Sequence, residues 1–141
     1  METRITPLFA DDVTQLGHRW TRVSDLVAER LPDASLERSP DDLAVLRRLL
    51  EEEVVTTADL LVLQDMGAVL GFALNAVEPR LVWVMVEDEL GRDPALYFRP
   101  TGALVFPLTM FSKRVERGEA LEPRGIFDAV LAQLEIPSEE S

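Results

Sequence analysis

"LVWVMVEDELGRDPALYFRPTGALVFP", residues 81–107, is the stretch where the chain changes character. Its opening, Leu81 to Glu87, is β-branched and aromatic and too short for a helix, so it reads as a strand. "DELGRDP" reads as a loop, with Gly91 and Pro94 as punctuation. "ALYFR", Ala95 to Arg99, reads as a second strand. Pro100, Thr101 and Gly102 form a tight turn into a third, Ala103 to Pro107. Connections this short predict an antiparallel meander of three strands.

Working outward, the segment before it, "TTADLLVLQDMGAVLGFALNAVEP", is apolar nearly all round. It reads as a helix capped at Thr56 or Thr57 and stopped by Pro79. A helix without a polar face is buried on several sides, which makes this one the central element. Gly67 and Gly71 stand four residues apart on one face. Each costs about 1 kcal/mol against alanine, so close approach of another backbone is the expected compensation. Gln64, Asp65 and Asn75 interrupt the apolar surface, and buried polar groups need partners. Asp65 suits an arginine of the later segment.

Two amphipathic helices precede it. The first, Phe9 to Leu31, carries Val13, Leu16, Trp20, Val23, Leu26, Val27 and Leu31 near the 3.6-residue period. The second opens with Ser39 as N-cap, Pro40, Asp41 and Asp42, and its stripe is Leu43, Leu46, Leu49, Leu50 and Val54. Arg47 with Glu51 and Arg48 with Glu52 are spaced as exposed pairs. After the meander, a short helix Leu108 to Glu116 closes at Gly118. A last helix runs from Pro123 or Arg124 to Leu134, with Ile126, Phe127, Val130 and Leu131 in its stripe. Three helices, three strands and two helices predict an α+β domain over 1–136 with a flexible tail at 137–141.

Composition narrows function. The chain has 141 residues and a formal net charge of −12. It has no run basic enough to displace counterions from nucleic acid or to hold an anionic membrane. Its longest apolar runs, such as Leu81 to Val86, are far shorter than the ~20 residues that span a bilayer, so no transmembrane helix is expected. Its first residues, METRITPLFADD, are acidic where a signal peptide is apolar. A cytoplasmic protein is expected. There is no cysteine and one histidine, His18. That excludes disulfides, thiolate chemistry and cysteine-based metal sites. Acidity keeps a protein soluble, and it also steers in a basic protein partner.

The candidate site residues are Glu87, Asp88, Glu89 and Asp93, followed by Arg114 and Arg117 beside Lys113, the one lysine. The acids do not match the calcium-loop pattern, and on a strand Glu87 and Glu89 face opposite to Asp88. No metal and no cofactor are expected. The basic island Lys113–Arg117 suits either an anionic partner group or pairing with the acids themselves. No nucleophile elbow, phosphate loop or dinucleotide fingerprint is present.

The segments "WVMVEDELGRDPAL" and "TGALVFPLTMFSKRVERGE", with the preceding "DLLVLQDMGAVLGFALNA", resemble the bacterial family named domain of unknown function 3806, over about residues 57–134. The family often has an acidic residue after the second helical glycine. Phe72 and Ala73 stand here instead, which weighs against a polar site on that helix. The resemblance implies fold and boundaries but no activity. Two functions remain as expectations. The first is a non-enzymatic acidic domain that masks a basic surface on a partner, in concrete form an immunity or antitoxin protein. The second is a small-molecule sensor or small enzyme with a pocket lined by Asp65, Asn75, Glu87, Asp88, Lys113 and Arg114.

Overall fold

The structure, a computed structural model, describes residues 2–139, with side chains of the last helix described as far as Leu134. Its elements are β1 (Arg4–Pro7), α1 (Ala10–Arg30), α2 (Asp42–Glu51), α3 (Leu60–Val77), β2 (Leu81–Asp88), β3 (Gly91–Phe98), β4 (Ala103–Val105), α4 (Met110–Glu116) and α5 (Pro123–Glu139). A turn of 3-10 helix, Pro107–Thr109, leads into α4. The strands form one antiparallel sheet in the order β1-β2-β3-β4. The architecture is α+β.

Helix α3 is the centre, because its apolar surface has to be covered all round. Leu63, Met66, Ala68, Val69, Leu70, Ala73 and Leu74 are wholly buried. By length and composition α3 is apolar enough to cross a membrane, yet 56% of that window is buried inside the fold. It packs on α1, α2, α4, α5, β2 and the Pro107–Thr109 turn. The two glycines serve close approach, as expected. The backbone of Pro107 and Leu108 lies against Gly67, and the Trp83 indole lies against Gly71.

The other helices bury the stripes their spacing predicts, with one exception. Leu16, Val23 and Val27 of α1 are buried, but Val13 is 57% exposed. In α2 the expected start shifts. The carboxylate of Asp42, wholly buried, accepts backbone N–H groups of Glu37 and Arg38 at 2.8 and 2.9 Å. This ties down a loop in which Arg38 adopts φ +56°. Likewise Asp59 rather than a threonine precedes α3, and its carboxylate accepts the Thr56 N–H at 2.8 Å. The backbone of α5 continues past the expected end at Leu134 to Glu139; residues 140 and 141 of the expected tail lie outside the described residues.

The sheet differs from expectation in two places. It has a fourth strand, β1, whose exposed residues and Pro7 give no alternating signal. Proline is tolerated there because an edge strand leaves half its N–H groups unpaired. The expected loop Asp88–Pro94 is also mostly strand. β2 runs to Asp88, β3 starts at Gly91, and only Glu89 and Leu90 connect them. Gly91 carries φ +138°, which a side chain would strain. Pro94 sits within β3, where β4 pairs only with Leu96 to Phe98, so one edge of its strand is open.

Candidate functional site

Two surfaces gather the chemistry of this fold: the face of the sheet turned away from the helices, and a cleft where α1, α3 and β3 meet.

Alternation along β2 sends Val82, Val84 and Val86 to one face and Leu81, Trp83 and Met85 to the other. Paired residues share a face, so Tyr97, Ala95 and Asp93 accompany the three valines. Leu104 stands opposite Tyr97, and Ile5 opposite Val86. Val84, Val86 and Ala95 form a cluster with Val82, Tyr97 and Leu104, to which, among the described residues, no helix contributes. Leu81, Leu96, Phe98 and Val105 belong instead to the helix-packed core. The sheet is therefore apolar on both faces and helix-covered on one.

The predicted acids divide across this sheet. Asp88 and Asp93 fall on the valine face by alternation, while Glu87 falls on the helix side, opposite Arg92. The Asp88 carboxylate accepts the Leu90 N–H at 2.8 Å, shaping the hairpin tip, where Leu90 is 91% exposed beside Glu89. The basic residues of α4 do not join them. Arg114 donates to the Met110 carbonyl at 3.1 Å and approaches Glu119 at 3.9 Å. Arg114 and Arg117 border a shallow groove with Leu104 and Phe106. Among the described residues no ion pair links Arg114, Arg117 or Lys113 to Glu87–Asp93. The expected internal pairing is replaced by one with α1, in which Arg92 holds Asp12 through two hydrogen bonds of 2.6 and 2.7 Å.

The cleft is built around that pair and a second one. Asp65 is 5% exposed, and its carboxylate accepts from Arg19 at 3.0 Å and from two nitrogens of Arg22 at 2.8 and 2.9 Å. The partner expected from the later segment is thus supplied by α1. The cleft has a volume of about 360 Å³. Leu16, Met85 and Leu108 give it apolar lining, and Gln15, Arg19, Arg22, Gln64, Arg92 and Thr109 give it polar groups. None of the six residues expected to line a pocket lines this one. Asn75 instead donates to the Leu81 carbonyl at 2.6 Å, joining α3 to β2. Hydrogen bonds from Arg92 and then from the Phe9 N–H hold the Asp12 carboxyl down at about 2. Arg22 is raised by its hydrogen bond to Asp65. The Arg38 guanidinium lies 4.9 Å from the Trp20 ring and 4.6 Å from that of Phe72. Among the described residues no three His, Cys, Asp or Glu side chains converge as for a metal ion.

A family model described as domain of unknown function (DUF3806) matches residues 42–127. The chain belongs to that family. A solved structure from Bacteroides thetaiotaomicron VPI-5482 shares the fold at 13% identity, with a TM-score of 0.84 over 93% of this chain. This chain spans 48% of that one, about half its length. No curated protein matches. The DUF3806 match takes in the hairpin, its acids and Asp65, but not Asp12, Arg19 or Arg22 of α1. Sequence reasoning missed those three residues. The available signal was the three-residue spacing of Arg19 and Arg22, which puts both on one helix face, together with an aspartate in an otherwise apolar α3.

Proposed function

We propose that this DUF3806 domain is a non-enzymatic protein-binding module that takes a basic, apolar segment of a partner protein onto the valine face of its sheet. The observation that carries this reading is the second apolar face. Antiparallel sheets with one face in water normally alternate apolar with polar residues. Here Val82, Val84, Val86, Ala95, Tyr97 and Leu104 depart from that pattern; Val84, Val86 and Ala95 are buried among their neighbours, Val82, Tyr97 and Leu104 are half-buried, and exposed Ile5, opposite Val86, extends the patch. Charge selects the partner. The chain carries −12, and Asp88 and Asp93 sit at the hairpin end of the apolar strip, with Glu89 in the connecting turn and Glu87 on the other face of the same hairpin end. A segment with an apolar stripe and flanking lysine or arginine complements this surface. An immunity or antitoxin protein that masks a basic surface of a toxin is the concrete form. Arg114 and Arg117 are not required for this contact. One histidine and no cysteine also suit a protein that acts by contact.

The test isolates a partner from the source cell by crosslinking and measures its affinity as a purified protein. Tyr97→Glu puts a charge in the middle of the patch and is expected to abolish binding. Asp88→Asn with Asp93→Asn is expected to weaken it about tenfold and to flatten its salt dependence. Arg47→Ala, on the exposed face of α2, serves as the neutral control. A folded Tyr97→Glu protein that binds the partner at full strength refutes the reading.

A further inference from the structure

We infer that the cleft between α1, α3 and β3 binds a small organic molecule through a single carboxylate, with the rest of the ligand lying on Leu16, Met85 and Leu108. The site is separate from the valine face, so either assignment can fail without the other.

The argument starts with donors. Arg19 and Arg22 carry five N–H groups each. Asp65 takes one from Arg19 and two from Arg22. Most remain for a ligand, on side chains that are 28% and 56% exposed. The amides of Gln15 and Gln64 also line the cleft, and neither has a hydrogen-bond partner among the described residues. A ligand here must therefore bring acceptors to the guanidinium groups, while each glutamine amide can donate or accept.

Position comes next. Asp65 is buried and grips both guanidinium groups, so they are held in place before anything binds. Such preorganisation lowers the entropy cost of binding. A planar carboxylate is the acceptor that arginine's fork geometry matches best.

Charge then limits the ligand. At the α1 end two guanidinium groups face one carboxylate, which leaves one positive charge to be met. At the opposite end Arg92 is already matched by Asp12, whose carboxylate lines the cleft. A second anionic group on the ligand would be opposed there. The volume of about 360 Å³ and the apolar lining suit a small monocarboxylate.

The experiment titrates the whole chain with benzoate and with pyruvate, followed by amide and arginine side-chain NMR, with inorganic phosphate and citrate as comparison anions. Saturable shifts confined to the cleft are expected with at least one monocarboxylate at millimolar concentration. Arg19→Gln is expected to weaken that binding about tenfold or more. Gln64→Leu leaves the Asp65 ion pairs intact and is expected to weaken it as well, which covers the case in which Arg19→Gln disturbs folding. Tyr97→Glu is expected to leave it unchanged. The inference is overturned if neither monocarboxylate saturates, if both cleft variants bind like the parent, or if phosphate or citrate binds more tightly.

Discussion

Gly67→Ala tests the crossing on which the whole helix layer depends. In most helix interiors this change stabilises by up to about 1 kcal/mol. At residue 67 an added Cβ would lie 2.7 Å from the Leu108 Cα and 3.0 Å from the Pro107 carbonyl carbon, and closer still to the Pro107 carbonyl oxygen. Carbon atoms rest at about 3.5–4.0 Å, so the clash with Leu108 is roughly 1 Å deep. All three obstructing atoms are backbone, and no side chain can rotate out of the way. Overpacking of this kind costs about 1–3 kcal/mol and occasionally more. After the propensity gain, a net loss of about 2 kcal/mol is expected, or roughly 7 °C in Tm for a chain of this size. The internal control is Gly17→Ala. Nothing lies within 4 Å of a Cβ at that position in α1, so the propensity gain should appear alone as a Tm rise of a few degrees. Gly71→Ala should fall between the two, because its nearest obstacle is the Trp83 ring at 2.5 Å, a side chain that can shift. Thermal and urea unfolding followed by circular dichroism would rank the three. A Gly67→Ala protein as stable as Gly17→Ala would refute the packing of α3 on the Pro107–Thr109 turn.

Two further predictions concern carboxylates. The Asp12 carboxyl is held at about 2, below its ordinary value, so its contribution is fully present above about pH 4 and is lost as pH falls toward 2. The stability deficit of Asp12→Asn should therefore shrink over that window, as read from urea midpoints; a deficit independent of pH would contradict the Arg92 pairing. Asp42→Ala removes a buried acceptor from the N–H groups of Glu37 and Arg38 and is expected to cost about 1–3 kcal/mol. It should also free Arg38 from between Trp20 and Phe72, so tryptophan emission in the folded variant should shift; unchanged emission would sever the link between Asp42 and that stack.

How much of this was legible in the sequence depended on how local each cause is. The central place of α3 was readable because burial all round leaves a helix with no polar face, and Gly67 and Gly71 marked its close contacts. The α+β class followed from one β-branched run and two short connections. β1 was not readable, since its residues are exposed and its pairing with Arg4 opposite Glu87 is set by the partner strand. The acidic tip of the hairpin read as loop because its side chains carry no apolar alternation. Backbone pairing continues there regardless, through Glu87 with Arg92 and Asp88 with Gly91. The cleft was half legible. Asp65 stood out as a charge on an apolar helix, but the crossing of α1 over α3 chose Arg19 and Arg22 as its partners, and no local pattern encodes a crossing.

The strongest unused signal was the run Leu81 to Val86 itself. A strand in a half-wet antiparallel sheet should alternate, and a continuous apolar run means that both faces seek cover. With the helices all on one side, the valine face would ordinarily invite a second copy of the chain. The net charge of −12 opposes that, because two such sheets brought face to face would also bring Asp88 and Asp93 of both copies together. The same charge attracts a basic segment. Acidity and the helix-free face therefore work as a pair: one keeps the sheet apart from its own kind, and the half-buried Val82, Tyr97 and Leu104 give a cationic partner something to bury.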